Sequence, residues 1–332
     1  MTLMIHDVTC RDGNHALRHK ISTRQVSSYA AAAWKAGIKS LEVGHGNGLG
    51  GSSSLVGHSA VSDVELISAA KESAPDLRVG VHSMPAFATL KRNLLPAIAA
   101  GATYFRLGAH ITEMDTIEQH ARSLLERQVS VAAAIMMVSH TSMDELFRQI
   151  EIVESFGVKE VILMDSVGRL VPKDVAGTVQ GVRERFSIDI GFHGHDNLGL
   201  AIGNSLAAWT AGATILDASS LGMGAGAGNA ALELLSIGLQ LSSVDVEVSA
   251  EAVMKLARGA EQLGFMRPDK SVLTLATAFS NLFSGFAPVI DLAAAQANVD
   301  PLEVTRLALG RKLVAGQESV IYEIVEGLRG VE

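Results

Sequence analysis

Met4-Ile-His-Asp-Val-Thr-Cys-Arg-Asp-Gly13 opens the chain and decides its fold: a short apolar run over residues 4–8 that ends in an arginine, a carboxylate and a turn residue. The same grammar returns at residues 40–43, 77–81, 104–107, 129–137, 160–164, 188–192 and 214–218. These runs are rich in Val, Ile and Leu without strict alternation, the pattern of parallel strands covered on both faces. Between them, residues 22–36, 63–73, 143–156 and 173–186 carry helical spacing of apolar positions. Gly37, Gly157 and Gly212 stand where such helices stop. Eight strand–helix units across about 240 residues predict a (β/α)8 TIM barrel over residues 1–247. A doubly wound open sheet is the competing arrangement, disfavoured because the eight units are regular and show no break in composition.

In a closed barrel the chemistry sits where strands end. The positions after seven of the eight runs are accordingly polar and histidine-rich: Arg11-Asp12, Gly44-His45, His82-Ser83, Gly108 to His110, Asp165-Ser166, His193 to His195 and Ser219-Ser220. From Val248 the alternation ceases, and residues 249–263, 271–283, 289–297 and 301–309 read as helices. Residues 248–332 are therefore expected to form a helical appendage, packed on the barrel mouth or on another subunit.

The chain has 332 residues, of which 48% are hydrophobic, enough for a substantial core. A net charge of −8 without a basic cluster argues against nucleic acid or an anionic membrane as partner. Mean hydropathy is positive, yet no apolar run approaches membrane-spanning length. One cysteine, Cys10, excludes an intrachain disulfide and suits a reducing compartment. No basic segment followed by an apolar one opens the chain, so a soluble cytoplasmic protein is expected.

His193-Gly-His195 carries the strongest chemical signal. On a strand, positions i and i+2 face the same side, so both imidazoles can reach one ion. Strands one and seven are both odd-numbered and contribute to the same barrel layer, which makes Asp12 the natural third ligand. Two nitrogens and one oxygen with open positions suit Mn²⁺, Mg²⁺, Co²⁺ or Zn²⁺, and geometry does not separate these four. Arg11, beside that carboxylate, is either an ion-pair partner or a fixed positive charge for a developing oxyanion; its place at the strand mouth favours the second. His15 is either a surface residue opening the first helix or a general base, and its nearness to Asp12 favours the base. His45 and Ser166 are candidate substrate contacts at neighbouring strand mouths, while His45, His82 and His110 could equally support the site or be satisfied by backbone. The stretch Gly222-Met-Gly-Ala-Gly-Ala-Gly-Asn229 lacks the βαβ setting and downstream acid of a dinucleotide fingerprint, and is read as a loop whose backbone approaches the ligand.

Asp-Val-Thr-x-Arg-Asp-Gly on strand one with His-x-His on strand seven resembles the DRE-TIM metallolyases. Four longer stretches are closest to their 4-hydroxy-2-oxovalerate aldolases: residues 11–19, Gly44-His45 with the glycine- and serine-rich run over 48–53, residues 222–229, and Val314-Ala-Gly-Gln-Glu318. The resemblance implies metal ligation by Asp12, His193 and His195, enolate stabilisation by Arg11 and a base at His15. It implies cleavage of 4-hydroxy-2-oxoacids into pyruvate and an aldehyde without a Schiff-base lysine, and an acylating aldehyde dehydrogenase as partner. A homo-oligomer is also expected. Two positions depart from the family: a tail tyrosine aligns with Phe279, here a candidate substrate contact, and a loop aspartate aligns with Asn47. The rival readings are a Claisen-type acyl-CoA condensing enzyme and a non-catalytic partner subunit.

Overall fold

The computed structural model describes residues 3–244, 246, 248–314 and 317–329. The eight apolar runs are eight parallel strands: β1 Met4–Cys10, β2 Ser40–Val43, β3 Arg78–Ser83, β4 Tyr104–His110, β5 Ser130–Met136, β6 Glu160–Asp165, β7 Asp189–Gly194 and β8 Ile215–Ala218. Each pairs with its sequence neighbour, and β8 returns to β1 with Met4 opposite Ile215, closing the barrel. Closure rules out the open sheet.

The helices between strands start where side chains satisfy free backbone N–H groups. Ser22 and Gln25 form a reciprocal capping box for the helix Thr23–Lys35, and Ser62 with Glu65 repeats it for Asp63–Ser73. The first helix ends at Gly37, whose φ of 96° an L side chain would adopt only with strain. Its Val26, Tyr29, Ala30 and Ala33, spaced by three and four, are fully buried against the barrel. Such burial contributes roughly 1.5–3 kcal/mol for each large apolar side chain.

Inside the barrel, Tyr104, Ala132, Ala134, Ile162, Met164 and Ile215 form an apolar cluster. Two residues further along their strands the composition changes: His6, Arg106 and Asp217 follow Met4, Tyr104 and Ile215, and Glu42 joins them. A charged layer thus underlies the mouth. On β1, Asp7 opposes Leu41 while Cys10 opposes Val43, so three steps answer two. Such an irregularity redirects a strand end, and here the turn Asp12–His15 follows it.

Beyond the barrel, the helices Ala250–Gln262, Val272–Phe279, Ala287–Ala297 and Pro301–Ala308 lie within the expected stretches, give or take two residues at their ends. The segment expected as one helix over 271–283 stops at Phe279, because Asn281 takes a left-handed φ of 55°. A further helix, Ser319–Arg329, is absent from the sequence reading. Val253, Leu256, Ala260 and Phe265 belong to the barrel's core, whereas a separate tail core runs from Leu282 to Val325. The packing therefore changes hands after Phe265, later than residue 248, because the apolar face of Ala250–Gln262 is used up on the barrel. Asn281 bonds Ser139 and His140 beyond β5, and Asn197 beyond β7 donates to Thr274 O and Ser284 Oγ. The tail consequently lies across the mouth. No helix among the described residues is long and apolar enough to cross a membrane.

Candidate metal centre

His193 lies in β7 and His195 one step past its end, with ring centroids 5.0 Å apart. The turn after β1 brings Asp12 to them. One ligand atom from each of the three residues lies within 4.8 Å of the others, and all three residues are buried. His193 Nε2 is 3.7 Å from Asp12 Oδ2.

Supporting groups decide which nitrogen each ring presents. His193 Nδ1 is 2.8 Å from Asp217 Oδ2, and His195 Nδ1 is 3.2 Å from the Gly228 carbonyl. Both partners are acceptors, so both Nδ1 atoms carry hydrogen and both Nε2 lone pairs are left for an ion. His193 Nε2 has no hydrogen-bond partner. Burial alone would raise the Asp12 carboxyl, but Arg11 and the rings of His195, His193 and His15 reverse this and hold it well below the usual range. Burial lowers His195 to about 4, keeping it neutral. A carboxylate oxygen and two imidazole nitrogens fit a divalent cation.

Arg11 is equally constrained. Its Nε donates to Glu42 Oε2 at 2.5 Å, and its Nη1 to Asp12 Oδ1 at 3.0 Å and Gly46 O at 3.2 Å. Its buried Nη2 has no protein partner. His15 Nε2 stands 3.9 Å from Asp12 Oδ1. The ring lies so close to Gly46 that a Cβ there would come within 2.6 Å of it, which explains the glycine. Burial dominates over the attraction of Asp12 and lowers His15 to about 4, so the ring is a free base at neutral pH. The glycine-rich loop does approach the ligands: besides Gly228 on His195, Asn229 Nδ2 donates to Asp12 Oδ2 at 2.6 Å.

Three other expected positions stand apart. His45 Nε2 meets Gly57 O and its Nδ1 accepts from Asn47 N, both at 3.0 Å, while its ring stacks on His19 at 3.7 Å. Loop backbone thus occupies both nitrogens, and the backbone-satisfied reading describes it. Ser166 Oγ accepts from Met137 N at 3.0 Å, propping the end of β5. Phe279 is 74% exposed at the end of its helix, with no ring contact to His15. In the tail motif 314–318, Ala315 and Gly316 lie outside the described residues.

Sequence reasoning missed Glu42, Arg106, Asp217 and Asn229. The signal was present: a charge in the middle of an apolar strand is costly unless paired, and Glu42, Arg106 and Asp217 each interrupt such a run.

Residues 2–259 match the HMGL-like family and residues 268–330 the DmpG-like communication domain. The chain is 41% identical over 329 residues to 4-hydroxy-2-oxovalerate aldolase 2 of Salinispora arenicola, covering 98% of this chain and 94% of that one. The 4-hydroxy-2-oxovalerate aldolase of Burkholderia thailandensis is 40% identical, with 97% and 92% covered. This chain belongs to the 4-hydroxy-2-oxovalerate aldolase family. Membership identifies a carbon–carbon lyase and favours neither the acyl-CoA condensing enzyme nor a non-catalytic subunit. Solved structures agree on the aldolase's fold. HMG-CoA lyase of Bacillus subtilis superposes with a TM-score of 0.67 at 18% identity, covering 81% of this chain and 96% of that one. The carboxyl transferase domain of Rhizobium etli pyruvate carboxylase gives 0.80 at 17% identity, covering 99% and 61%.

Proposed function

We propose that this chain cleaves 4-hydroxy-2-oxoacids to pyruvate and an aldehyde, with Asp12, His193 and His195 holding a divalent metal, Mn²⁺ for preference. The convergence of those three buried ligands with Arg11 bonded to one of them carries the reading. When bound, the metal supplies Lewis-acid polarisation of the substrate's 2-oxo group. Arg11, aimed by Glu42, offers its free Nη2 to the negative charge that develops as the C3–C4 bond breaks. His15, directly or through water, takes the proton of the C4 hydroxyl, whose oxygen becomes the aldehyde carbonyl. The electron pair of the broken bond stays on C3 as the pyruvate enolate, which a returning proton quenches. With Phe279 in place of the family tyrosine, His15 works without that hydroxyl.

The tail extends the reading to partners. Its match to a communication domain, with exposed Val272, Leu275, Phe279 and Leu292, supports docking on an acylating aldehyde dehydrogenase that consumes the reactive product, and on a second copy of this chain. A coupled assay of pyruvate release over a panel of 4-hydroxy-2-oxoacids, with and without chelator, tests the proposal. Absence of release from every member with Mn²⁺ present refutes it.

A further inference from the structure

Beneath the metal cluster, His6, Glu42, Arg106 and Asp217 are sealed in the barrel, each 2% exposed or less. Arg106 is the unexpected member. A guanidinium with no solvent access carries a desolvation penalty that its ion pairs barely offset, and a well-packed apolar side chain would serve stability at least as well. Something other than stability is needed to explain an arginine there.

Its contacts supply the reason. Arg106 Nη2 lies 2.7 Å from Asp217 Oδ2, the same oxygen that His193 Nδ1 reaches at 2.8 Å; none of the guanidinium nitrogens meets an acceptor in hydrogen-bond geometry, so its contacts are ion pairs. Arg106 Nε lies 3.6 Å from Glu42 Oε1, while the other oxygen of Glu42 takes Arg11 Nε at 2.5 Å. Glu42 Oε1 is also 3.9 Å from His6 Nε2. β4 pairs only with β3 and β5, so this side chain crosses the interior to reach β2 and β8. Asp217 and Glu42 are two carboxylates in one dry compartment, and the guanidinium keeps both ionised and apart.

We propose that Arg106 is a positioning residue for the metal centre, the charge spread over its planar fork pairing with Asp217 and Glu42 at once and, through them, holding the ring of His193 and the guanidinium of Arg11. Two groups that belong to different strands are thereby held in one relation. The inference rests on the aldolase reading of the site. Lysine keeps the charge but, as a point donor, cannot span both carboxylates as the fork does. Loss of the fork should leave Asp217 free to turn, and the His193 ring with it.

The test uses Arg106→Lys, Arg106→Met and Arg106→Gln, the last keeping a polar side chain of similar reach without the charge and covering the case in which Arg106→Met fails to fold. Mn²⁺ affinity is measured by calorimetry on metal-stripped protein without substrate, alongside Tm and the kcat and KM of pyruvate release. The expected result is a loss of Mn²⁺ affinity of about 10- to 100-fold, the range for removing groups that orient metal ligands. Arg106→Lys should recover much of the Tm but little of the affinity, and kcat should fall more than KM rises. Wild-type Mn²⁺ affinity and kcat in folded Arg106→Lys or Arg106→Gln, with only Tm changed, would overturn the proposal and leave Arg106 a packing residue. Wild-type protein that binds Mn²⁺ but releases no pyruvate overturns the aldolase reading instead, and the Mn²⁺ affinities alone then decide the role of Arg106.

Discussion

Glu42 Oε2 accepts a hydrogen bond from Arg11 Nε at 2.5 Å, entirely inside the barrel, and this bond aims the arginine before any substrate arrives. Glu42 is ionised there: burial would raise its carboxyl, but Arg106 and Arg11 hold it well below the usual range. Two of the three guanidinium nitrogens of Arg11 are taken up by protein, and Nη2 is left. Preorganised donors of this kind act without reorganisation during the reaction.

Arg11→Lys should therefore lower kcat by on the order of 10²-fold, comparable to losing an oxyanion donor. Lysine cannot bond Glu42 and Asp12 and still present a free N–H in the same plane. Steady-state pyruvate release decides it: unchanged kcat with a raised KM would make Arg11 a binding residue.

Chelation should abolish activity, and Mn²⁺, Mg²⁺ or Co²⁺ should restore it. Asp217→Asn, which weakens the acceptor behind His193, should lower Mn²⁺ affinity by about 10- to 100-fold while leaving every ligand in place. Full turnover in excess chelator contradicts the metal assignment.

Acid should destabilise the metal-stripped protein early. Burial lowers His15, His195 and His140 to about 4 and His19 and His82 to about 3, against an ordinary 6.5. Between those values the unfolded chain binds protons that the folded chain refuses, so stability falls as pH drops from 6.5 towards 4. Burial also lowers His6, His45, His110 and His120, while Asp7 and Asp165, raised by burial to about 6, and Glu160, raised by burial, act in the opposite sense, so three acids oppose nine histidines. Thermal scans across this range should show Tm declining below about pH 6.5; a flat or rising Tm would show that these rings titrate normally.

Phe279→Tyr should leave stability almost unchanged, within about 0.5 kcal/mol, because the side chain is exposed. It should also leave kcat/KM on short 4-hydroxy-2-oxoacids within about twofold, because the exposed ring stands apart from His15. A rise of about tenfold would instead place a hydroxyl at this position within reach of the reacting group.

The exposed apolar residues of the tail should hold copies of the chain together, or hold a dehydrogenase. Sedimentation at micromolar concentration, alone and with an acylating aldehyde dehydrogenase, checks this. A monomer that ignores the dehydrogenase counts against it.

Much of this molecule is local and could be read directly. Strand-length apolar runs, glycine stops and Ser-x-x-Gln or Ser-x-x-Glu caps act over a few residues, so the eight barrel strands and the helix Asp63–Ser73 follow from nearest-neighbour physics. The pair His193 and His195 is legible for the same reason, since strand geometry alone puts both rings on one side. The break after Phe279 was not legible, because the left-handed Asn281 is held by Ser139 and His140, which are 142 and 141 residues away.

What only closure decided is the layer beneath the site. In the sequence, Glu42, Arg106 and Asp217 are three charges in three apolar runs, each anomalous where it stands. Their partners lie on strands far apart in the chain and are near in space only because β8 pairs with β1. Closing the sheet removes water from all three at once, and a buried charge must then find its opposite. Those pairings orient Arg11 and His193, so the residues that perform the chemistry were readable one by one, while their mutual geometry belongs to the barrel.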